Sequence, residues 1–560
     1  MKNIKSVVAV MAMGAACLSA CSPSLQKTET AVFSNFCYSG NDSVWNRSID
    51  SASQYMNPIL GGFYPDPSIC RKGDDYFLVN SSFSYYPGVP IFHSKDLVNW
   101  KPLGHVLNRP SQLNLDGIRL SGGIYAPAIQ YNPHNDMFYM ITTCVDGIGN
   151  FLVKTDNPMK GEWSDPILLP QVGGIDPSLF FDDNGKGYIV NNDAPEGEPQ
   201  WNGHRAIWIH EFDTATDKVV GEAKVIVDGG IDKTKKPVWI EGPHMYKVDG
   251  TYYLMAAEGG TGPNHSEVVL SSESPKGPYK PCKINPILTQ RDLPADRINP
   301  VTNAGHADII DTPDGKWWAV FLACRPYEGD FYNTGRETFL IPVEWKDKQP
   351  VILEQGREIP YVVNKEGLEG DGCELNGNFS ETVDDFTATL DYRWSFIRTP
   401  RSQWWGVEDG KLVITPQPVS IAEVANPAFI GRRQQHLAFE SSVCMSYVPG
   451  KETDMAGMVC YQDESHYFVL GRSVRNGEQV IVLEASCGEK EMLATLPCNS
   501  KNVVLKVVGE GRLYSFYFSD DKMKTWNTVY ENADASILST NRAGGFTGTM
   551  IGMYASGQHK

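Results

Sequence analysis

The chain has 560 residues, of which 41% are hydrophobic, and a formal net charge of −18. This length exceeds what one hydrophobic core usually serves, so we expect two domains. The 52 glycines, 36 prolines and 11% aromatic residues are typical of a turn-rich all-β protein and exclude disorder or a helical bundle. The acidic balance leaves no basic field for phosphates, so neither nucleic acid nor an anionic lipid surface is expected as a partner.

The N-terminal residues have the pattern of an export signal. Two lysines precede an apolar run over residues 7–16, which is too short to span a bilayer as a mature helix. The run ends in LSAC, which resembles the bacterial lipobox, where cleavage leaves the cysteine as the lipidated first residue. We therefore predict a lipoprotein signal peptide over 1–20, lipidation of Cys21 and a polar tether over 21–55.

An ordinary signal peptide cut near the same place is the alternative to lipidation. In both cases the sequence predicts an exported bacterial protein that faces the periplasm or the cell surface. A lipid at Cys21 would be its only contact with a membrane, and it would hold the protein at the outer membrane or facing the periplasm.

Between residues 64 and 321 one short phrase occurs five times, each copy being an apolar strand, a tight polar turn and an aromatic-rich strand. The copies are YPDPSICRKGDDYFLV (64–79), YAPAIQYNPHNDMFYMI (125–141), IDPSLFFDDNGKGYIV (175–190), EGPHMYKVDGTYYLMA (241–256) and GHADIIDTPDGKWWAVF (305–321). A hairpin repeat of this length is typical of a β-propeller with one blade per copy. The sequence therefore predicts a five-bladed β-propeller over residues 56–350.

The openings of the five copies place different side chains at one repeated position. They fall at Asp66, Ala126, Asp176, Glu241 and His306, with spacings of 60, 50, 65 and 65 residues. The first strand of every blade runs beside the propeller axis, so equivalent positions converge at one end of the channel. Three converging carboxylates predict acid–base chemistry there, although an Asp-Pro pair taken alone is more typical of a loop cap.

From about residue 379 the sequence changes to strand-length apolar or alternating segments separated by Gly, Asn and Asp turns. These segments lie at 436–448, 455–462, 466–474, 479–486 and 502–508. Their spacing predicts an antiparallel β-sandwich over residues 379–560, after a linker at 351–378. The cysteines show no C-x-x-C pair and no histidine at ligand spacing, which argues against a zinc site.

Glycoside hydrolysis needs a protonated carboxylic acid at the leaving oxygen and a second carboxylate. In inverting enzymes the second carboxylate activates water, and the two groups stand about 6.5–9.5 Å apart. Asp66 in blade one and Glu241 in blade four face each other across the ring, as these roles require. Asp176 in blade three is next to the blade of Glu241, and its charge should raise the pKa of that acid and keep it protonated. Trp239 should raise the pKa of Glu241 as well, because it removes water from the carboxyl group.

Several segments resemble those of glycoside hydrolase family 43. NPILGGFYPDPSI, GGIDPSLFFDD and WIEGPHMY resemble its general-base, pKa-modulating and general-acid segments, which implies these roles for Asp66, Asp176 and Glu241. GRETFLIPVEW, SSFSYYPGVPIFHSKDLVNW, RWSFIRTP and NPAFIGRRQQH resemble segments of members that carry a C-terminal concanavalin-like sandwich. The resemblance covers the chain from about Met56 onward and implies that Arg336 reaches the substrate hydroxyls.

The resemblance also implies which aromatic residues line the sugar pocket. Phe83 resembles an aromatic residue of the pocket, with ordinary blade packing as the alternative. Tyr125 stands where members often have Trp, which changes the stacking platform for the sugar. Phe546 is the candidate for a phenylalanine that a sandwich loop brings over the pocket, and Trp239, beside the acid, is a further candidate for substrate contact.

His306 is a further candidate for substrate contact. It matches a histidine that lies on the propeller axis in the family and in some members helps to hold Ca²⁺ or another ion, mostly through water. The alternative is a hydrogen-bonded core histidine. No dense cluster of oxygen ligands of the kind that calcium prefers can be read near His306 in the sequence, and no cofactor is required. Arg325, after the fifth hairpin, is expected to form a structural ion pair.

Together these features predict an inverting, exo-acting glycosidase that releases β-D-xylose or α-L-arabinofuranose from xylan- or arabinoxylan-type oligosaccharides. A retaining five-bladed fructosidase is one alternative, although its Asn-Asp-Pro, Arg-Asp-Pro and Glu-Cys signatures are absent. A surface lipoprotein that binds sugars without catalysis is the other alternative. The complete set of three acids argues against it, because a binding module gains nothing from an opposed acid and base.

Overall fold

The computed structural model describes residues 30–365, 368, 377, 379 and 381–557. In these ranges the chain forms strands, starting with β1 (Ala31–Gly40) and β2 (Gln54–Met56), together with one short α-helix, α1 (Thr540–Ala543). Three 3₁₀ helices lie at Pro158–Lys160, Lys233–Lys235 and Ala535–Leu538. None of the helices in these ranges is long and apolar enough to cross a membrane. Residues 1–29, which include Cys21, lie outside the described part.

Five antiparallel sheets follow one another along the chain. The first comprises β3 (Ser68–Lys72), β4 (Asp75–Val79), β6 (Gly88–Ser94) and β7 (Lys101–Leu107), with β5 (Tyr85–Tyr86) between them in sequence. The second comprises β8 (Gly123–Asn132), β9 (Met137–Val145), β10 (Gly149–Thr155) and β11 (Ile167–Leu168), and the third β12 (Ile175–Phe181), β13 (Gly187–Asp193), β14 (Ala206–Asp213) and β15 (Lys218–Asp228).

The fourth sheet comprises β16 (Glu241–Val248), β17 (Thr251–Glu258), β18 (Ser266–Ser272), β19 (Lys280–Pro281) and β20 (Leu288–Thr289). The fifth comprises β21 (Thr302–Asp311), β22 (Trp317–Cys324), β23 (Glu337–Lys346) and β24 (Gln349–Val351). The first strands of the five sheets contact one another in sequence order, and β21 returns to contact β3. The sheets are therefore the blades of a closed five-bladed propeller, as predicted.

At the repeated position, in or just before each innermost strand, one residue has a left-handed backbone conformation. The φ angles of these residues are 51° at Asp66, 34° at Ala126, 55° at Asp176, 55° at Gly242 and 53° at His306. In blades two to five the strand pairing shifts register across this residue, which marks a β-bulge. A bulge bends the strand and re-aims a side chain, so the repeat directs one residue per blade toward the axis.

The prediction that Glu241 occupies the repeated position is wrong by one residue. In blade four the left-handed residue is Gly242, and Glu241 precedes it in the register place that Ile175 holds in blade three. A glycine is required there because a Cβ atom on Gly242 would lie 2.8 Å from Cε1 of His306. Glu241 therefore reaches the axis from the position before the bulge, as Tyr125 does in blade two.

Two larger sheets form the second part of the molecule. The first has the order β28 (Trp405–Glu408), β29 (Lys411–Ile414), β1, β31 (Ala438–Ser446), β36 (Asn502–Glu510), β37 (Leu513–Ser519) and β38 (Asn527–Asp534), with β26 (Glu381–Asp384) also paired to β1. The second has the order β35 (Glu489–Pro497), β34 (Glu478–Cys487), β33 (His466–Arg475), β32 (Met455–Asp463), β39 (Met550–Ser556), β30 (Phe429–Arg433), β27 (Ser395–Ile397) and β5. Their facing apolar side chains share one core, so the predicted β-sandwich is present.

The prediction of a tether over residues 21–55 is wrong from residue 31 onward. Strand β1 lies inside the first sandwich sheet, paired with β31 on one side and with β29 and β26 on the other. Its inward side chains Phe33, Phe36 and Tyr38 are buried in the sandwich core. The alternation of these aromatic residues along the strand supplies the buried face, and pairing on both edges satisfies the backbone.

Residues 351–365 of the predicted linker pack against the propeller. Strand β25 (Val362–Asn364) pairs with β2, and Ile352, Ile359 and Tyr361 are buried in the propeller core. The two domains also share a sheet, since β5 of blade one pairs with β27 of the sandwich. Propeller and sandwich therefore form one body with a continuous apolar contact.

Candidate active site

A pocket of about 420 Å³ opens at the end of the axis where the innermost strands begin. It is lined by all nine residues that the sequence placed at the sugar site: Asp66, Phe83, Tyr125, Asp176, Trp239, Glu241, His306, Arg336 and Phe546. Its size lies within the range usual for small-molecule sites. Cys21, the predicted lipidation site, lies outside the described residues.

Asp66 is buried and held by two side chains. One carboxylate oxygen accepts a hydrogen bond from Nη1 of Arg336 at 2.7 Å, and the other accepts one from the Ser81 hydroxyl at 2.6 Å. The Ser81 oxygen in turn accepts a hydrogen bond from the backbone amide of Ala126 at 2.7 Å. These contacts fix the carboxylate and pair it with a guanidinium.

Asp176 lies next to the strand of Glu241. Its carboxylate accepts a hydrogen bond from the backbone amide of Gly242 at 3.1 Å. Burial, followed by the charge of Asp66, raises the pKa of Asp176 well above its usual range. Gly242, the residue after Glu241, thus holds the carboxylate of Asp176 close to the strand that carries Glu241.

Glu241 is buried in a different environment from Asp66. Burial, followed by the charges of Asp176 and Asp66, raises the pKa of Glu241 to about 8. The charges of Arg336 and Arg205 act in the opposite direction but do not cancel the burial. At neutral pH Glu241 therefore keeps its proton, opposite the arginine-paired carboxylate of Asp66.

Three aromatic rings form one wall of the pocket. The ring of Phe83 lies 4.9 Å from that of Tyr125 and 6.1 Å from that of Phe546, between ring centroids. The hydroxyl of Tyr125 donates to the Ser121 carbonyl at 2.5 Å, so this residue presents its ring to the pocket. Such a wall can pack against the apolar face of a sugar ring.

Arg336 joins the aromatic wall to the carboxylates. Its guanidinium lies 5.8 Å from the ring centroid of Phe83 and 5.6 Å from that of Phe546. Besides Asp66, it donates to the Thr261 hydroxyl at 3.3 Å and to the Phe546 carbonyl at 3.4 Å. The loop of the sandwich that carries Phe546 is thereby fixed over the propeller pocket.

His306 stands on the axis with Nδ1 3.9 Å from a carboxylate oxygen of Asp66. Burial lowers the pKa of His306 to about 4, so the imidazole is neutral at neutral pH. Across the described ranges there is no group of three or more His, Cys, Asp or Glu residues that could hold a metal ion. The oxygen-rich set that binds Ca²⁺ directly does not form around His306, and an ion held through water stays a prediction.

The sequence reasoning missed Arg205. Its guanidinium lies 4.9 Å from the ring centroid of Trp239 and donates twice to the side-chain oxygen of Asn192, at 3.0 and 2.8 Å. The amide nitrogen of Asn192 donates to the Ile240 carbonyl at 2.5 Å, so the pair holds the backbone that precedes Glu241. No sequence signal marked Arg205, because it lies outside every copy of the repeat.

His265 is a second residue that the sequence analysis missed. Its Nδ1 lies 2.9 Å from the Asn303 carbonyl, and this oxygen can only accept, so Nδ1 carries the proton. Nε2 is then an acceptor, and it has no hydrogen-bond partner within residues 30–365 and the other described ranges. Burial lowers the pKa of His265 to about 4, so the imidazole is neutral at neutral pH.

Known proteins are similar to this chain in sequence and fold over nearly its whole length. A xylosidase/arabinosidase of Butyrivibrio fibrisolvens is 40% identical over 518 residues, covering 90% of this chain and 96% of the relative. A non-reducing-end α-L-arabinofuranosidase of Bacteroides ovatus is 37% identical and covers 92% and 94%, respectively. The crystal structure of a family 43 enzyme from a capybara gut metagenome superposes with a TM-score of 0.88 at 44% identity, over 95% of this chain and 100% of that one.

Two family patterns divide the chain between them. The pattern of the β-xylosidase C-terminal concanavalin A-like domain matches residues 383–560, which include most strands of the sandwich. The pattern of glycosyl hydrolases family 43 matches residues 55–350, which include all five blades and the three acids. On this match and on the relatives above, the chain belongs to glycosyl hydrolases family 43.

Proposed function

We propose that the protein is an inverting, exo-acting glycoside hydrolase that releases β-D-xylose or α-L-arabinofuranose from xylan- or arabinoxylan-type oligosaccharides. The observation that carries the proposal is the contrast between Asp66, paired with Arg336, and Glu241, whose pKa burial raises, within one pocket. The pentose is supported by relatives named xylosidase, arabinosidase and arabinofuranosidase.

In the proposed mechanism Asp66 is the general base and Glu241 the general acid. Asp66 takes a proton from a water molecule as the water oxygen bonds to the anomeric carbon. Glu241 gives its proton to the glycosidic oxygen as the bond from that oxygen to the anomeric carbon breaks. Exchange with solvent then removes the proton from Asp66 and returns one to Glu241. No step requires a cofactor.

The other polar groups hold the reacting parts in place. Asp176 raises the pKa of Glu241 through its charge and is itself held by the Gly242 amide. Arg336 orients Asp66 and is placed to donate hydrogen bonds to sugar hydroxyls from the same guanidinium. Phe83, Tyr125 and Phe546 exclude water from one side of the sugar, which strengthens these polar contacts.

The experiment is an assay on aryl β-D-xyloside and aryl α-L-arabinofuranoside side by side, with the first-formed sugar followed by NMR. We expect hydrolysis of at least one substrate and a product of inverted anomeric configuration. Retention would contradict the mechanism and favour the fructosidase type of chemistry. Absence of hydrolysis on both substrates would favour a sugar-binding protein without catalysis.

We further propose that the protein is exported and that lipid is attached at Cys21, because residues 18–21 read LSAC. The full chain expressed in a Gram-negative host should partition into detergent, and the Cys21→Ser variant into the aqueous phase. Equal partitioning of the two would contradict lipidation.

Dialysis against a chelator tests the water-held ion at His306. Removal of the ion should lower activity only if such an ion is bound.

A further inference from the structure

The active-site pocket has a buried part and an exposed part. Phe83, in the aromatic wall, is 1% exposed, whereas Trp239 is 36% exposed, and both residues line the pocket. Among the large hydrophobic side chains that are exposed in the described ranges, Trp239 is the one that lines this pocket. Trp239 therefore lies at the mouth, where the pocket meets solvent.

Trp239 also has a strained backbone. Its φ angle of 52° lies in the left-handed region, which a residue with a bulky side chain adopts only at a cost in free energy. Strain of this kind persists where the surrounding structure imposes it, and it is concentrated at active sites and ligand sites. An ordinary backbone conformation would aim the indole elsewhere, so the fold keeps this ring at the mouth against the cost.

Contacts on both sides of the chain hold the ring in place. The amide of Trp239 donates to the Gly203 carbonyl at 2.9 Å, and the carbonyl of Val238 accepts from the Gly259 amide at 2.8 Å. The guanidinium of Arg205 lies over the indole, 4.9 Å from its ring centroid. Since Arg205 covers one side of the indole, the exposed part of the ring lies away from Arg205. The position of this ring is therefore set before a substrate binds, which lowers the entropic cost of stacking on it.

The proposed mechanism fixes where the leaving group stands. The pentose that is released lies between Asp66 and Glu241, because water attacks one side of its anomeric carbon and the leaving oxygen departs from the other. That oxygen lies within hydrogen-bond reach of the Glu241 carboxyl, from which it takes its proton. The leaving group therefore continues from Glu241 toward solvent. Trp239, two residues before Glu241, stands at this exposed end of the pocket.

We propose that Trp239 is the stacking platform for the first sugar ring of the leaving group. This inference rests on the proposed function and adds a preference for leaving groups that are themselves sugars. The apolar face of a sugar ring packs against an indole, while its hydroxyls stay in contact with water at the mouth. The charge of Arg205 is matched by Asp193 at 3.8 Å, so the site favours a neutral sugar over an acidic one.

The first measurement compares two leaving groups, in β-D-xylosides and in α-L-arabinofuranosides. One substrate is the methyl pentoside, and the other is the same pentose linked to xylose. Both leaving groups are alcohols that need the proton of Glu241, but only the second has a ring. Trp239→Ala should lower kcat/KM at least tenfold more on the disaccharide than on the methyl pentoside, and Trp239→Phe, which keeps a ring, should remove most of this difference. Val238→Ala is the matched control, because Val238 is exposed beside Trp239 but does not line the pocket, and it should affect both substrates in equal proportion.

A binding measurement covers the case in which Trp239→Ala abolishes activity on both substrates. The Glu241→Gln protein, which keeps the pocket but lacks the acid, is titrated calorimetrically with the disaccharide and with the methyl pentoside. The disaccharide should bind at least tenfold more tightly, and Trp239→Ala in this background should remove that advantage.

The proposal is overturned if an active Trp239→Ala protein loses kcat/KM on both substrates in equal proportion. With an inactive variant, it is overturned if the tighter binding of the disaccharide is absent from the Glu241→Gln protein or survives the loss of the indole. Failure of the proposed function is distinguishable, because the wild type would then leave aryl pentosides intact as well.

Discussion

One left-handed backbone residue in or just before each innermost strand positions the side chains of the pocket in this enzyme. Asp66, Asp176 and His306 adopt this conformation although they are not glycines, at a cost of about 1–3 kcal/mol each. In blade four Gly242 has this conformation, and the acidic residue is Glu241, one position earlier in the chain. Asp66 and Glu241, the proposed base and acid, therefore enter the pocket from different positions of the repeat. Asp66 is fixed by an ion pair, and the pKa of Glu241 is raised.

The first prediction concerns the leaving group. Glu241→Gln should lower kcat/KM on phenyl pentosides by about 10²–10⁴ because the departing oxygen needs a proton. The loss should be much smaller on dinitrophenyl pentosides, whose leaving group departs without protonation. Asp66→Asn is the matched control, since loss of the base should impair both substrates alike. Equal losses on both substrates in the Glu241→Gln protein would exclude Glu241 as the acid.

The second prediction concerns Arg205 as a positioning residue. Its positive charge lowers the pKa of Glu241, so Arg205→Gln should raise that pKa. Because Glu241 acts in its protonated form, the alkaline limb of the kcat/KM profile should move to higher pH. Arg205→Lys keeps the charge and should hold the limb near its wild-type position. A merely structural role would lower activity at all pH values without moving the limb.

At the scale of elements, a buried ion-pair network joins the N-terminal segment, blade five and the sandwich. The guanidinium of Arg325 lies 2.6 Å from Glu337 and 2.7 Å from Asp42, and it donates to the Gln435 carbonyl at 2.8 Å. All three charged side chains are almost fully buried. The expected structural role of Arg325 is thus confirmed, and it links segments that are remote in sequence.

The third prediction follows from this burial. Arg325→Met would leave two buried carboxylates without their partner and should lower the free energy of unfolding by about 3–5 kcal/mol. The exposed pair of Lys160 and Asp156 provides the control, because Lys160→Met should cost at most about 1 kcal/mol. Denaturant unfolding of both variants at neutral pH measures the difference. Similar losses in the two variants would show that the buried network adds no special stability.

At the scale of the whole molecule, neither domain is complete without the other part of the chain. The sandwich needs β1 from the N-terminal segment, and the active-site pocket needs Phe546 from the sandwich. Blade one contributes β5 to a sandwich sheet. Separating the domains would expose the apolar contact between them and open one wall of the sugar pocket.

The fourth prediction tests this dependence. A variant that begins at residue 47 lacks β1, Asp42 and Trp45, and it should be insoluble or show a strongly lowered Tm. A variant that begins at residue 30 keeps these groups and should retain the Tm and activity of the longer protein. Light scattering and thermal unfolding distinguish the two. A stable, active protein starting at residue 47 would show that β1 is dispensable.

Much of the site could be predicted because hairpin repeats are local. The turn and strand pattern of each copy lies within about 16 consecutive residues, so periodicity alone indicated five blades, a ring, and acids that meet at its axis. The family-like segments around Asp66, Asp176, Glu241 and Arg336 added the sugar chemistry. All four side chains line one pocket.

The tertiary structure decided what depends on contacts between distant segments. Strand β1 pairs with β31, about 400 residues later in the chain. Without that partner, the polar residues around β1 make the segment resemble a tether. Arg205 and His265 carry no motif, because Arg205 packs against Trp239 and His265 lines the pocket only once distant segments have come together. The one-residue offset of Glu241 depends on a backbone dihedral that composition and periodicity do not encode. Sequence by itself thus determined the ring and its acids, while long-range pairing and backbone conformation decided how those acids are aimed and what surrounds them.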